Sequence, residues 1–297
     1  MLMTPPNLSG PPEIFDSRRR RARLSRSATR FHGADFLHAR AAGNAVASLE
    51  VILRDFAAVV DLSAHPGPFE RALEGTVAAD RVGPVMTAGD AAAPGAESLE
   101  LVDGSIDLAI SLMTLHWAND LPGALVQIRR ALKPDGLFLG TLLGAGTLKE
   151  LRAVLTQAEL EVTGGAQARV SPFADGFDGA GLLQRAGLAL PVVEVDRLTV
   201  RYPNLFALLD DLRAMGETNV LAGPVRPLTR GVLARAAELY AERFSEPDGR
   251  LTATFEIINL AGWAPSQTQQ KPLPRGSAKV RLADALGARE YGPRDPV

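Results

Sequence analysis

Apolar residues recur along this chain with two different periods, and the periods alternate. Between Phe31 and Phe56, Phe36, Leu37, Val46, Leu49, Ile52, Leu53 and Phe56 fall at mixed spacings of three and four, which predicts a helix. The run "AAVVDLS" (57–63) is short and almost uninterruptedly apolar, as a buried strand would be, and "RALEG" (71–75) belongs to a helix after the turn. "TVAAD" (76–80) predicts a second strand ending at Asp80. "VGPVMTAGD" (82–90) contains a third ending near Asp90, and "IDLAISL" (106–112) is a fourth, after the turn signal Asp103-Gly104. Asp120 is placed as an N-cap before "LPGALVQIRRALK", with Pro122 in the first helical turn where its missing N–H costs little. Lys133-Pro134-Asp135-Gly136 stops that helix, and "LFLGTLL" (137–143) predicts a fifth buried strand.

The second half is less regular. Thr147–Val162 and "GAGLLQRAGL" (179–188) read as helices, and "PVVEVDRLTVRY" (191–202) alternates like a strand with one exposed face. "PNLFALLDDLRAM" and "LTRGVLARAAELYAERF" are helical, and "TATFEIINLAGWA" (252–264) is a long final strand. Uninterrupted apolar strands alternating with helices predict an α/β fold with a parallel sheet covered on both faces. Neither a repeat nor a linker is apparent. The expected organisation is a disordered or basic arm over residues 1–30 and one domain over 31–297, carrying a helical insertion around 163–230.

Composition narrows the chemistry. A chain of 297 residues buries roughly 75% of its unfolded surface, enough for a core without staples. The absence of cysteine removes disulfides, thiolate metal sites and a cysteine nucleophile, and four histidines leave little for a histidine-only metal site. A net charge of −2 makes no electrostatic case for nucleic acid. No apolar run approaches the roughly 20 residues needed to span a bilayer, so the chain reads as soluble and intracellular. The run "SRRRRARLSRSATR" (17–30) is basic without an acid. It fits a solvated first helix, an arm for a partner or an anionic membrane surface through Arg18, Arg19, Arg20, Arg21 and Arg23, or a transit peptide. The prolines before it and the short preceding segment count against the last, and the expected location is a bacterial cytoplasm.

Ligands of a doubly wound sheet bind at the carboxyl ends of its strands. Asp61, Asp80 and Asp90 are expected there in series. An acid ending the second strand would accept from a ribose hydroxyl pair and one ending the third from an adenine amino group, although each acid could equally cap its own turn. These positions, with "DLAISLMTLHW" (107–117) and "LKPDGLFLG" (132–140), resemble the class I S-adenosylmethionine-dependent methyltransferases. That resemblance implies a Rossmann-like sheet of seven strands, the last antiparallel. "IFD" (14–16), "SLMTLHWANDLPGAL" (111–125), "GTLKELR" (146–152), "DLRAMGETN" (211–219) and "PRGSA" (274–278) more narrowly resemble the methyltransferase-like assembly factors of respiratory complex I and their bacterial relatives.

The resemblance implies S-adenosylmethionine as cofactor and a protein partner in the peripheral arm of complex I. The broad family transfers a methyl group. The mitochondrial assembly factors are linked to hydroxylation of an arginine, and more distant relatives methylate a malonyl group on a carrier protein. A catalytically silent scaffold remains the alternative, since nothing here has the two-histidine, one-carboxylate pattern of non-haem iron oxygenases.

The family turn Asp-x-Gly-x-Gly-x-Gly stands here as Asp61-Leu62-Ser63-Ala64-His65-Pro66-Gly67. Serine and histidine replace two glycines whose freedom lets the backbone approach the cofactor. A non-glycine residue forced into a glycine-only conformation costs on the order of 1–3 kcal/mol, so weakened binding is expected unless the turn has been re-formed. The resemblance assigns Asp61, Ser63, His65, Gly67, Asp80, Asp90 and Leu112 to the cofactor. His116, Trp117 and Asn119 follow the fourth strand, where His116 is placed for a general base, Trp117 for a pocket wall and Asn119 for substrate binding. The competing reading makes them caps and packing for the next helix. "KPLPRGSA" (271–278), with Lys271 and Arg275, fits a loop over the site, a partner contact or a plain surface loop.

Overall fold

Most of the short apolar runs become strands of one sheet. The computed structural model describes residues 13–87, 99–173, 176–270, 277 and 280–287. Strands β1 (Val59–Asp61), β2 (Val85–Thr87), β3 (Ile106–Ser111), β4 (Leu132–Leu143), β5 (Ala189–Tyr202) and β6 (Leu251–Trp263) pair in the order β2-β1-β3-β4-β6-β5. The first four are parallel, and β6 runs antiparallel to both β4 and β5. This is the class I methyltransferase, Rossmann-like α/β architecture with its antiparallel strand near the sheet edge. The order reverses at β1, which pairs β2 on one side and β3 on the other.

The described sheet has six strands rather than the expected seven. "TVAAD" does not form one: Thr76 folds back, its hydroxyl donating to the Leu73 carbonyl, and a 3-10 turn follows over Ala79–Arg81. Alanine pairs contribute little to a pleated surface, and Val77, the β-branched residue after Thr76, is 63% exposed. Asp80 therefore lies exposed in the turn that precedes β2, not at the carboxyl end of a strand.

Alternate strand residues feed two cores. Leu108, Ile110, Leu137 and Leu139 join one cluster with α2 (Phe36–Glu50), α3 (Pro68–Leu73), α5 (Lys149–Thr163), α7 (Leu205–Met215) and α8 (Arg230–Phe244). Ala109 and Phe138 join another with α4 (Leu121–Ala131) and α6 (Gly179–Arg185). The helices start where local chemistry predicts. Asp120 accepts from Gly123 N–H ahead of α4, and Asn204 and Thr229 do the same ahead of α7 and α8. Gly216 ends α7 at φ 78°, a left-handed conformation that favours glycine.

Two expectations of organisation change. Residues 17–27, read as a basic arm or a solvated first helix, form helix α1 (Ser17–Ser27), capped by Asp16, but not a fully solvated one, since Arg20 is only 1% exposed. The segment 163–230 is not a purely helical insertion, because it supplies β5, which pairs along almost its whole length with β6. Contacts divide the chain into a unit Met1–Pro265 and a unit Ser266–Val297, and the described part of the second holds the short helix α9 (Leu282–Leu286). Among the described residues, no helix is long and apolar enough to cross a membrane.

Candidate functional site

The turn after β1 is closed on itself. The Asp61 carboxylate accepts from Ser63 N–H at 2.8 Å, and the Thr114 hydroxyl accepts from Ala64 N–H at 2.8 Å. The Ser63 hydroxyl turns inward to accept from Leu112 N–H at 2.8 Å, tying the turn to the end of β3. Burial raises the Asp61 carboxyl above its ordinary value, and the hydrogen bonds from Ser63 oppose it. His65 is buried too. Its ring stacks on Phe31 at 3.8 Å, its Nε2 lies 3.2 Å from the Met215 carbonyl oxygen, and His38 stands perpendicular to both rings. Burial lowers the His65 pKa and holds that of His38 down to about 3, so both imidazoles are neutral. Gly67 alone keeps a glycine conformation, at φ 107°, where it opens α3.

The loop after β3 carries a second arrangement. Met113 sits at φ 51°, a strained conformation for a side chain of its size, with its N–H donating to Thr141. Leu115–Trp117 then form a 3-10 turn that aims two rings at Glu217, just past the end of α7. His116 Nε2 lies 3.1 Å from Glu217 Oε2, and Trp117 Nε1 donates to the same oxygen at 2.9 Å. Arg20 donates to Glu217 Oε1 at 2.8 Å and to the Gly216 carbonyl at 2.6 Å, with its guanidinium over the Trp117 ring at 4.7 Å. Burial pushes Glu217 up, but the Arg20 charge and the His116 bond outweigh it and hold the carboxyl below its ordinary range. Burial likewise lowers His116, more than Glu217 raises it. The consistent state is an ionised Glu217 with a neutral His116 donating from Nε2. His116 Nδ1 is then a lone-pair acceptor, buried and without a partner.

The sequence-predicted residues thus divide. Asp61, Ser63 and Leu112 meet at the ends of β1 and β3 through the bonds above, and His65 lies in the same turn. His116 and Trp117 meet at Glu217. Asn119 clamps the amino-terminal segment instead: its Oδ1 accepts from Ile14 and Phe15 N–H, and its Nδ2 donates to the Phe15 carbonyl. The next helix is capped by Asp120, not by His116 or Asn119. Asp80 stands apart, and Asp90, Lys271 and Arg275 lie outside the described residues. Of the five arginines expected to form a membrane-facing arm, Arg20 is buried, Arg19 bonds the Leu221 and Gly223 carbonyls and Arg23 is half-buried, leaving Arg18 and Arg21 exposed. Of the charged centre of the network, Arg20 was read only as part of the basic arm and Glu217 was not singled out by sequence. The signal for Glu217 was its place in "DLRAMGETN".

Comparisons with known proteins agree with this architecture. Residues 41–140 match the model of a methyltransferase domain family. The chain is 42% identical over 188 residues to the mitochondrial arginine-hydroxylase NDUFAF5 of Danio rerio, covering 63% of this chain and 59% of that protein. It is 41% identical over 188 residues to NDUFAF5 of Homo sapiens, covering 63% and 54%. It is also 38% identical over 199 residues to the malonyl-[acyl-carrier protein] O-methyltransferase of a Methylovorus species, covering 67% and 61%. The chain therefore spans only about half to three-fifths of the length of these curated relatives. Among solved structures, a methyltransferase-like protein of Bacillus halodurans aligns with a TM-score of 0.48 at 15% identity, covering 75% of this chain and 99% of that one. Residues 41–140 thus carry the pattern of a methyltransferase domain.

The turn does not fit S-adenosylmethionine in the glycine manner. The space two glycines would leave holds the Ser63 and His65 side chains, and the Ser63 and Ala64 amides are spent on Asp61 and Thr114.

Proposed function

We propose that this protein uses its methyltransferase fold to act with a protein partner in respiratory complex I assembly, and that its hold on S-adenosylmethionine is weakened. The observation carrying this reading is the turn after β1, whose amides and open space are taken by the chain's own groups. The fold around it is kept, and Arg20, His116 and Trp117 beside it all bond Glu217. The relatives are named as mitochondrial arginine-hydroxylases, and the process is taken from the resemblance of segments such as "SLMTLHWANDLPGAL" and "DLRAMGETN" to complex I assembly factors. On this reading the protein works in a bacterial cytoplasm, on a subunit of the peripheral arm. His116, oriented by Glu217 and with Nδ1 free to accept a proton, is the residue proposed for chemistry at the partner's side chain; Trp117 walls the site.

Affinity capture of the tagged full chain from its native cell tests the reading. Enrichment of complex I peripheral-arm subunits over an untagged control is expected, and their absence would overturn it. The second reading, methylation of an acyl group on a carrier protein, is favoured by the 38% identity to a malonyl carrier-protein methyltransferase. It would be recognised in the same experiment by capture of carrier protein in place of those subunits.

A further inference from the structure

A cavity of about 380 Å³ opens between α1, α5, α7 and the segments around 169–173 and 217–228. Its lining includes the buried apolar residues Leu151, Leu155 and Val170. Polar groups without partners line it too. Ser171 is only 3% exposed and its hydroxyl has no hydrogen-bond partner among the described residues. Arg23 Nε and Thr218 Oγ1 are likewise buried and unpartnered. A native fold leaves few such groups unsatisfied, because each costs on the order of 1–3 kcal/mol. Three on one cavity mark a place where a ligand completes the bonding.

The sign of the ligand follows from the charges. Arg23 and Arg213 line the cavity, and neither makes a hydrogen bond or ion pair with a carboxylate among the described residues. Arg169, which also lines it, is neutralised by Glu159. The one carboxylate in the wall, Glu217, is already held by Arg20, His116 and Trp117. The Arg23 guanidinium is destabilised first by burial and then by the like charges of Arg26, Arg19 and Arg213. An anion would relieve all of these at once.

We propose that this cavity binds a small amphiphilic organic anion, a carboxylate or phosphate head group on a hydrocarbon body. Arg23, Ser171 and Thr218 bond the head, and the body lies over Leu151, Leu155 and Val170. The volume falls in the usual range for small-molecule sites, about 300–1,000 Å³. Trp117 borders the cavity, so an occupant would sit beside the His116–Glu217 pair. This inference stands apart from the partner reading, and a failed capture experiment would leave it untouched.

Calorimetric titration of the full chain at low salt, with octanoate, octyl phosphate, octanol and octylamine as probes, tests it. At least one anion is expected to bind saturably and about tenfold or more tighter than the alcohol and the amine, as a charge-assisted hydrogen bond implies. Whichever anion binds tighter identifies the head group. Arg23→Gln and Ser171→Ala should each weaken that anion at least about threefold. Arg201→Gln, at an exposed ion pair with Asp248, should leave it unchanged. Thermal unfolding of each variant confirms that it is folded. Saturable binding by neither anion, binding of octanol or octylamine as tight as the anions, or unchanged affinity in folded Arg23→Gln would each overturn the proposal.

Discussion

Glu217 gathers three donors onto one carboxylate, with Arg20, His116 and Trp117 all reaching it from buried positions. In a low-dielectric site each of these bonds satisfies part of a charge or a polar hydrogen that water cannot reach. Replacing Glu217 by Gln keeps the shape and removes the charge, leaving the Arg20 guanidinium buried without a counter-ion. Breaking a buried pair from one side typically costs about 3–5 kcal/mol. Urea unfolding of Glu217→Gln is therefore expected to show a loss of about 3 kcal/mol or more, and a loss below about 1 kcal/mol would show that the network is not what holds α1 to α7. Met113 at φ 51° adds a local strain beside the same cluster.

The elements were unevenly legible. Strands β1, β3, β4 and β6 stand where uninterrupted apolar runs predicted them, and the Asp120 and Asn204 caps were readable because a cap is a local contact. "TVAAD" was misread because a five-residue apolar run with two alanines carries no period that separates a strand from a turn. The strand beside β1 is β2, formed by "VMT" within the run expected to hold the third strand, and that run's end at Asp90 lies outside the described residues. The network at Glu217 was invisible for another reason. Its bonds to Arg20 and His116 span 197 and 101 positions, and no local pattern encodes contacts that the sheet order creates. The turn after β1 shows the same limit in a sharper form. Its missing glycines were plain in the sequence, but only the pairing of Ser63 with Leu112 and the stacking of His65 on Phe31 show that the replacements were built in.

For the whole molecule, burying three neutral imidazoles sets the acid limit of stability. The pKa values of His38, His65 and His116 are all lowered by burial from an ordinary 6.5. Below that pH the unfolded chain takes up protons that the folded state refuses, so stability falls as pH drops from about 6.5, continuing for His38 toward about 3. Glu217, held below its ordinary value, adds in the same direction in the acid range, and the raised Asp61 opposes it there. Each histidine contributes up to about 1.4 kcal/mol per pH unit. Unfolding free energies from urea titrations at pH 7.5 and 5 should therefore differ by about 2 kcal/mol or more in favour of the higher pH, and equal stability would contradict the burial of neutral rings. The same rings tie the turn to α2 and α7, which makes the turn a structural joint of the domain. Calorimetric titration of S-adenosylmethionine into the parent and into the Ser63→Gly/His65→Gly variant tests that claim most directly. A rebuilt turn predicts weak binding by the parent and no gain in the variant, which loses the Ser63–Leu112 bond and the His65 stack while glycine adds entropy to the unfolded chain. A folded variant that binds the cofactor about tenfold tighter or more would contradict it, and would show that serine and histidine only obstruct a glycine turn still present beneath them.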